Sequence, residues 1–325
     1  MVLATRGGGA SPGGGAAKAG ASIAIVPGGS HPYFEPMRQA INEAQTDFHL
    51  SKGTFPVPSD WKQDLQNRLL TSLASQGYDG FAIFPTDSNA VNGIVSQLVP
   101  RGDHVVATAG CLQEPIKASL CFATDTGNSA YLGAKSTVGA MGGKGVLLHG
   151  TGFLTDPNAQ RRIDGVKKAV AETNGAVALI TLADIDKVAQ TADSAINQAL
   201  AAHEEITGII TTAYNPTVAS AKGLRTLGDK RIKMVGIDDD PTVLQAIQDG
   251  FLLRTMGQNP YGQAYLSANA LNLLHDDCKK KADAGSFIDS GALLVTSDTV
   301  STYKDDFKKI TKDLVGNFKG KYLSC

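Results

Sequence analysis

The stretch MVGIDDDPTVLQAIQDG (Met234–Gly250), followed by LLRTMGQNPYGQ (Leu252–Gln263), decides the fold. Lys233–Ile237 is a short apolar run that reads as a strand buried on both faces. Three carboxylates, Asp238, Asp239 and Asp240, stand between it and Pro241. Asp caps helices well and Pro suits their first turn, so a helix is expected from Pro241. A second apolar run near Leu252–Met256 reads as the next strand, with Gln258 just past its end and another helix from Pro260. One Asp of the triplet is expected to point into a cleft while the others cap the helix. Metal binding is the weaker reading of the three.

Outward from this unit the same alternation repeats. Strands are expected at Ser22–Val26, Gly80–Phe84, His104–Thr108, Gly145–His149, Val177–Thr181 and Gly208–Thr212, with a late one at Ala292–Thr296. Between them Phe34, Met37, Ile41 and Ala44 recur at helical spacing, as do Val91, Ile94, Val95 and Leu98. Strand–helix alternation of this kind implies an α/β fold of two doubly wound parallel-sheet lobes. The first lobe is assigned residues 22–124 plus 259–296, and the second residues 125–258 plus 297–325. A hinge of three crossings is expected near Thr124–Asp125, Gln258–Asn259 and Thr296–Ser297. Residues 1–21 read as a flexible Gly-rich leader, and Ser301–Phe318 as a surface helix.

Composition excludes several functions. The 325 residues carry 30 Lys and Arg against 31 Asp and Glu, without a basic block to hold nucleic acid. No apolar run approaches the roughly 20 residues of a membrane span. Neither a G-x-G-x-x-G nor a G-x-S-x-G nor an H-E-x-x-H motif occurs. Gly142, Gly143, Lys144 and Gly145 precede a strand instead of following one, and read as a helix C-cap. His203 lacks the second His of a zinc helix. Neither catalytic residues, a cofactor nor a metal is therefore expected. Cys111 and Cys121 flank a short polar stretch between two strand-like runs. A local disulfide and a pair of free thiols both fit that spacing.

What remains is a set of polar and aromatic residues just beyond strand C-termini, where open α/β sheets bind ligands. His31, Tyr33 and Phe34 follow the first strand, Asp87 the second block, and Arg162 lies in the helix after Gly145–His149. Tyr214 and Asn215 follow Gly208–Thr212; Asp238 and Gln258 complete the set. Asp, Asn, Arg, Gln and His pair with hydroxyls, which donate and accept at once. Tyr and Phe offer flat faces to the C–H side of a sugar ring.

Three blocks carry a family resemblance: IAIVPGGSHPYFEPMRQAINEA (Ile23–Ala44), GYDGFAIFPTDSNAV (Gly77–Val91) and the opening stretch. Across roughly Ser22–Val300 the chain resembles the ribose-type periplasmic sugar-binding proteins of ABC importers, whose core is shared with lactose-repressor-type regulators. The resemblance implies stacking by Tyr33 and Phe34, a polar contact from His31, and hydroxyl binding by Arg162, Asp238 and Gln258. It leaves open which of Tyr214 and Asn215 faces the ligand. Where ribose binders carry an Asp-Arg pair this chain has Ala109 and Gly110; where they carry Asn it has Phe84 or Pro85; Ile185 replaces an aromatic. A neutral monosaccharide other than ribose, or an acyclic polyol, is therefore the expected ligand. The implied partner is a membrane permease, with a chemoreceptor or sensor kinase as the alternative. A monomer is expected. The Gly-rich leader fits either a cytosolic chain or one whose signal has been removed. The favoured reading is periplasmic or extracellular, with a lipid anchor ahead of the Gly-rich tether before its removal. A regulator would need a helix-turn-helix module ahead of Ser22, where only the Gly-rich residues stand.

Overall fold

The computed structural model describes residues 19–325. Five strands open the chain: β1 Ser22–Val26, β2 Lys52–Thr54, β3 Gly80–Ile83, β4 His104–Thr108 and β5 Cys121–Ala123. Helices α1 Glu35–Asp47, α2 Gln63–Ser75 and α3 Asn92–Leu98 separate the first four. Five more strands follow: β6 Gly145–Gly150, β7 Val177–Leu182, β8 Ile206–Thr211, β9 Lys233–Ile237 and β10 Arg254–Gln258. They alternate with α4 Thr126–Ala140, α5 Pro157–Ala171, α6 Ala189–Ala202, α7 Tyr214–Leu227 and α8 Pro241–Gln248. The chain then adds α9 Pro260–His275, β11 Lys279–Lys280, β12 Phe287–Asp289, β13 Ala292–Val295, α10 Tyr303–Tyr322 and β14 Leu323–Ser324.

Two six-stranded sheets result, ordered β12-β5-β4-β3-β1-β2 and β13-β10-β9-β8-β6-β7. Within these two sheets all pairings are parallel except β13 against β10. Period-two burial builds each lobe. In β1, Ile23 and Ile25 face α1 and α9, packing with Met37, Ile41, Leu266 and Leu271, while Ala24 and Val26 face α2 and α3 through Leu70, Ile94 and Val95. In β6, Leu147 joins the α4–α5 side and Leu148 the α6–α8 side. Among the described residues, no helix is long and apolar enough to cross a membrane.

Three boundaries of the sequence reading are corrected. Ala21, at the end of the expected leader, is fully buried; residues 1–18 of that leader lie outside the described residues. The late strand β13 pairs with β10 in the second sheet, while β12 pairs with β5 in the first. The third crossing therefore lies between Asp289 and Ala292, where Gly291 takes a positive φ of 90°, and not at Thr296–Ser297. Finally, the last helix belongs to both lobes. Tyr303 and Phe307 pack with Val295 of the second, whereas Phe318 is buried in the first-lobe core against Phe122, ring centroids 5.7 Å apart.

Disulfides fix two of these features. Cys111–Cys121 closes the loop between β4 and β5. Cys278–Cys325, a pair the sequence reading left unassigned, clamps the C-terminal residues onto the segment after α9, beside the β11–β14 pair. Its sequence separation of 47 residues is long enough for a stabilisation of about 2–4 kcal/mol through the unfolded chain. The crossings are tied together by two buried amides. Asn259 Nδ2 donates to Ser290 O and Thr311 Oγ1, both at 3.0 Å. Gln263 Nε2 donates to Thr124 Oγ1 at 3.3 Å and Ser290 Oγ at 3.1 Å.

Candidate functional site

The C-terminal ends of both sheets face one cavity. It is lined by His31, Tyr33, Phe34, Trp61, Phe84 and Ala109 of the first lobe, and across from them by Phe153, Asp156, Asn158, Arg162, Asp186, Ala213, Tyr214, Asp238 and Gln258. The space between the walls is about 490 Å³ including the open mouth.

The second-lobe wall is a chain of polar groups. Asp156 caps α5, accepting from the Asn158 amide at 2.9 Å, and one turn after Asn158 the same helix face carries Arg162. Arg162 Nη2 donates to Gln258 Oε1 at 3.3 Å, and Nη1 lies 3.9 Å from Asp156 Oδ2. Gln258 Nε2 in turn donates to Asp238 Oδ1 at 2.8 Å. Arg162 Nε is buried with no hydrogen-bond partner, a donor whose desolvation goes uncompensated until an acceptor arrives. Burial raises the Asp238 carboxyl to about 6, against the lowering pull of Gln258 and Arg162. Burial likewise raises Asp156, opposed chiefly by Arg162.

Asp238 also holds an uncommon backbone, with φ of 65°. Its amide donates to Met256 O and its carbonyl accepts from Thr255 Oγ1, bonds that hold a non-glycine residue in the left-handed region and aim its carboxylate inward. The neighbouring carboxylates serve elsewhere. Asp240 caps α8 through Thr242 N and accepts from Tyr214 Oη at 2.8 Å; Asp239 accepts from Tyr303 Oη at 2.7 Å.

The first-lobe wall is aromatic. Phe34 and Trp61 stack at 6.1 Å, and Phe84 meets them edge-on at 5.1 and 5.7 Å. Trp61 lies over Gly28 and Gly29, where a Cβ would approach its ring to 3.0 and 2.9 Å. That close approach gives the glycine pair after β1 its role. The Tyr33 hydroxyl is spent on Gln263 Oε1 at 2.7 Å. Four contacts join the walls: Trp61 to Phe153 at 5.7 Å, His31 to Tyr214 at 5.5 Å, Asn158 Nδ2 to Ala109 O at 3.0 Å, and His31 Nε2 to Asp186 Oδ2 at 3.6 Å.

Of the nine residues expected from sequence, seven line the cavity: His31, Tyr33, Phe34, Arg162, Tyr214, Asp238 and Gln258. Two do not. Asp87 accepts from the amides of Asn89 and Ala90 at 2.9 and 2.8 Å, which turns it into a local cap. Asn215 supports Asp186 from behind, its amide donating to Asp186 Oδ1 at 2.7 Å and its side chain to Asp186 O at 2.9 Å. Asp186 takes the place expected of Asn215. Sequence reading also missed Trp61, Phe153, Asp156 and Asn158. The Asp156-Pro157 pair carries a helix-cap signal, and Trp61 is the single tryptophan of the chain; neither signal says which way a side chain points. Phe84 and Ala109, read as departures from the ribose pattern, lie in the wall. Ile185 packs into the second-lobe core. No group of three or more His, Cys, Asp or Glu suited to a metal occurs among the described residues.

Two doubly wound lobes with a polar and aromatic cavity between them define a two-lobed ligand-binding protein of the periplasmic type. Residues 23–279 match the family described as periplasmic binding protein domain, and the chain belongs to that family. It is 22% identical over 236 residues to the ribose import binding protein of Escherichia coli, covering 71% of this chain and 76% of the relative. An ABC transporter solute-binding protein from Burkholderia graminis, in complex with D-arabinose, superimposes with a TM-score of 0.79 at 24% identity, covering 87% of this chain and 97% of that one. A periplasmic solute-binding protein from Actinobacillus succinogenes, with bound D-allose, gives a TM-score of 0.77 at 20% identity over 87% and 100% of the two chains. At these identities the likeness establishes a shared fold.

Proposed function

We propose that the chain is the extracytoplasmic solute-binding component of an ABC importer, which closes on a neutral monosaccharide or polyol and passes it to a membrane permease. The observation that carries this reading is the polar chain Asp156–Arg162–Gln258–Asp238, with an unpartnered Arg162 Nε, facing aromatic rings across the cleft. A hydroxyl supplies both the acceptor that Arg162 lacks and a donor to a carboxylate. Three carboxylates against one guanidinium disfavour an acidic ligand. The sugars bound by similar structures support the class. In this reading the protein works outside the cytoplasm as a monomer. Ligand contact with both lobes favours the closed state, so binding and closure are coupled.

Thermal-shift screening followed by calorimetry across pentoses, hexoses, alditols and amino acids tests the assignment. Stabilisation by a sugar or polyol is expected, with compaction in solution scattering. A response to amino acids alone would overturn it.

A further inference from the structure

The two walls differ in what they leave for a ligand. On the first-lobe side the polar groups are already consumed. Gln66 Nε2, buried beneath the wall, donates to Pro27 O at 3.0 Å and Phe84 O at 2.7 Å, and its Oε1 accepts from Thr86 N at 3.3 Å. Thr86 Oγ1 bonds Gly28 O at 3.4 Å, Ala109 O accepts from Asn158, and the Tyr33 hydroxyl bonds Gln263. Among the described residues the wall keeps His31 Nε2, which faces Asp186, and the Trp61 indole N–H. The rings are also not a flat platform. Phe34, Trp61 and Phe84 meet at mutual centroid distances of 5.1–6.1 Å, and Phe153 closes on Trp61 from the opposite lobe at 5.7 Å. A flat ring accepts the C–H face of a sugar; a corner of four rings accepts a small apolar protrusion.

We propose, building on the sugar-binding reading above, that the ligand is a deoxygenated sugar or polyol: its hydroxyls meet the second lobe, and a methyl group stands where a hydroxymethyl would otherwise enter the Phe34–Trp61–Phe84–Phe153 corner. A hydroxymethyl in that corner meets only the Trp61 indole N–H, a donor, so its own O–H is buried without an acceptor, whereas a methyl is buried at no such penalty.

Calorimetry on matched sets tests this. Each set holds an aldohexose, its 6-deoxy counterpart and the pentose of the same ring configuration, with alditols and 1-deoxyalditols as the acyclic pairs. In the set that binds, the deoxy member is expected to bind at least tenfold more tightly than its hydroxymethyl sibling and more tightly than the pentose. Phe84→Asn, which puts a donor and an acceptor into the corner, is expected to narrow the first gap to less than threefold. A hydroxymethyl sugar or a pentose that binds as well as the deoxy member overturns the inference and leaves the sugar-binding reading standing. Failure of every sugar and polyol overturns both.

Discussion

The two faces of the cleft come from lobes of the same architecture yet divide the work. The second lobe and the crossing at Gln258 supply Asp156, Asn158, Arg162, Asp186 and Asp238; the first supplies Phe34, Trp61, Phe84 and Ala109. One wall is held by directional bonds, the other by packed rings. The difference teaches where affinity and selectivity arise. Charge-assisted hydrogen bonds in a buried setting are individually large and fix hydroxyl positions. Ring contacts are smaller, and select by shape and by the absence of partners.

The largest effect expected from breaking this asymmetry is at Arg162. Arg162→Ala removes the donor that links Gln258 and faces Asp156, leaving buried carboxylates unpaired. A loss of about 2–5 kcal/mol follows from truncating such a group, or roughly thirty- to several-thousandfold in Kd. Calorimetry with the identified sugar measures it, with a thermal melt to confirm folding. A change of less than threefold would show that the polar wall does not dominate.

Asp238→Ala comes next. One carboxylate oxygen accepts from Gln258, and the other is available to a hydroxyl. Losing a hydrogen bond to a charged group costs about 1.5–3 kcal/mol, so Kd should rise roughly ten- to a hundredfold. Unchanged affinity would mean that Asp238 only shapes the turn ahead of α8.

On the other wall, Trp61→Ala should cost about 0.5–1.5 kcal/mol, the range for aromatic contacts beyond their area, and so weaken binding by roughly two- to thirteenfold. It removes the first-lobe partner of Phe153 and one side of the ring corner. Discrimination among ligands should therefore suffer more than affinity for the best one. If Trp61→Ala weakens binding more than Arg162→Ala, the division of labour between the walls is wrong.

How much of this was legible in sequence follows from how local each feature is. The β9–Asp238–α8–β10 unit is legible because a buried strand, a cap and a proline act within ten residues. The sheet that β13 joins is not, since four apolar residues suit either edge and only Ser290 and Gly291 separate β12 from it. The same holds in the site. Asp87 and Asn215 have the right chemistry at the right strand ends, yet Asp87 is held by the amides two and three residues on, and Asn215 by Asp186 from another loop. Trp61 stands in the loop ahead of α2 and reaches the cavity only because Gly28 and Gly29 leave room. The placements of Asn215 and Trp61 depend on contacts between segments distant in sequence, which periodicity does not encode.

The smallest effect expected near neutral pH is also the one that separates the walls by titration. The Asp238 carboxyl, raised by burial to about 6, must be ionised to accept from Gln258 at one oxygen and from a ligand hydroxyl at the other, so a proton competes with the ligand. Affinity should be flat above pH 7, fall about twofold by pH 6 and decline up to tenfold per unit below that. Stability of the unliganded fold moves the other way. A carboxyl whose folded pKa exceeds its unfolded value binds its proton more tightly when folded, so this group's contribution rises as pH falls from about 6 towards 4. Trp61→Ala should displace the affinity curve without moving its bend, because the indole does not titrate between pH 5 and 8. Asp238→Asn should remove the bend near 6, while Asp156, which burial raises in the same sense, is unchanged in all three proteins. Calorimetric Kd values from pH 5 to 8 on the three proteins decide it; a bend that survives in Asp238→Asn would assign the proton to another group.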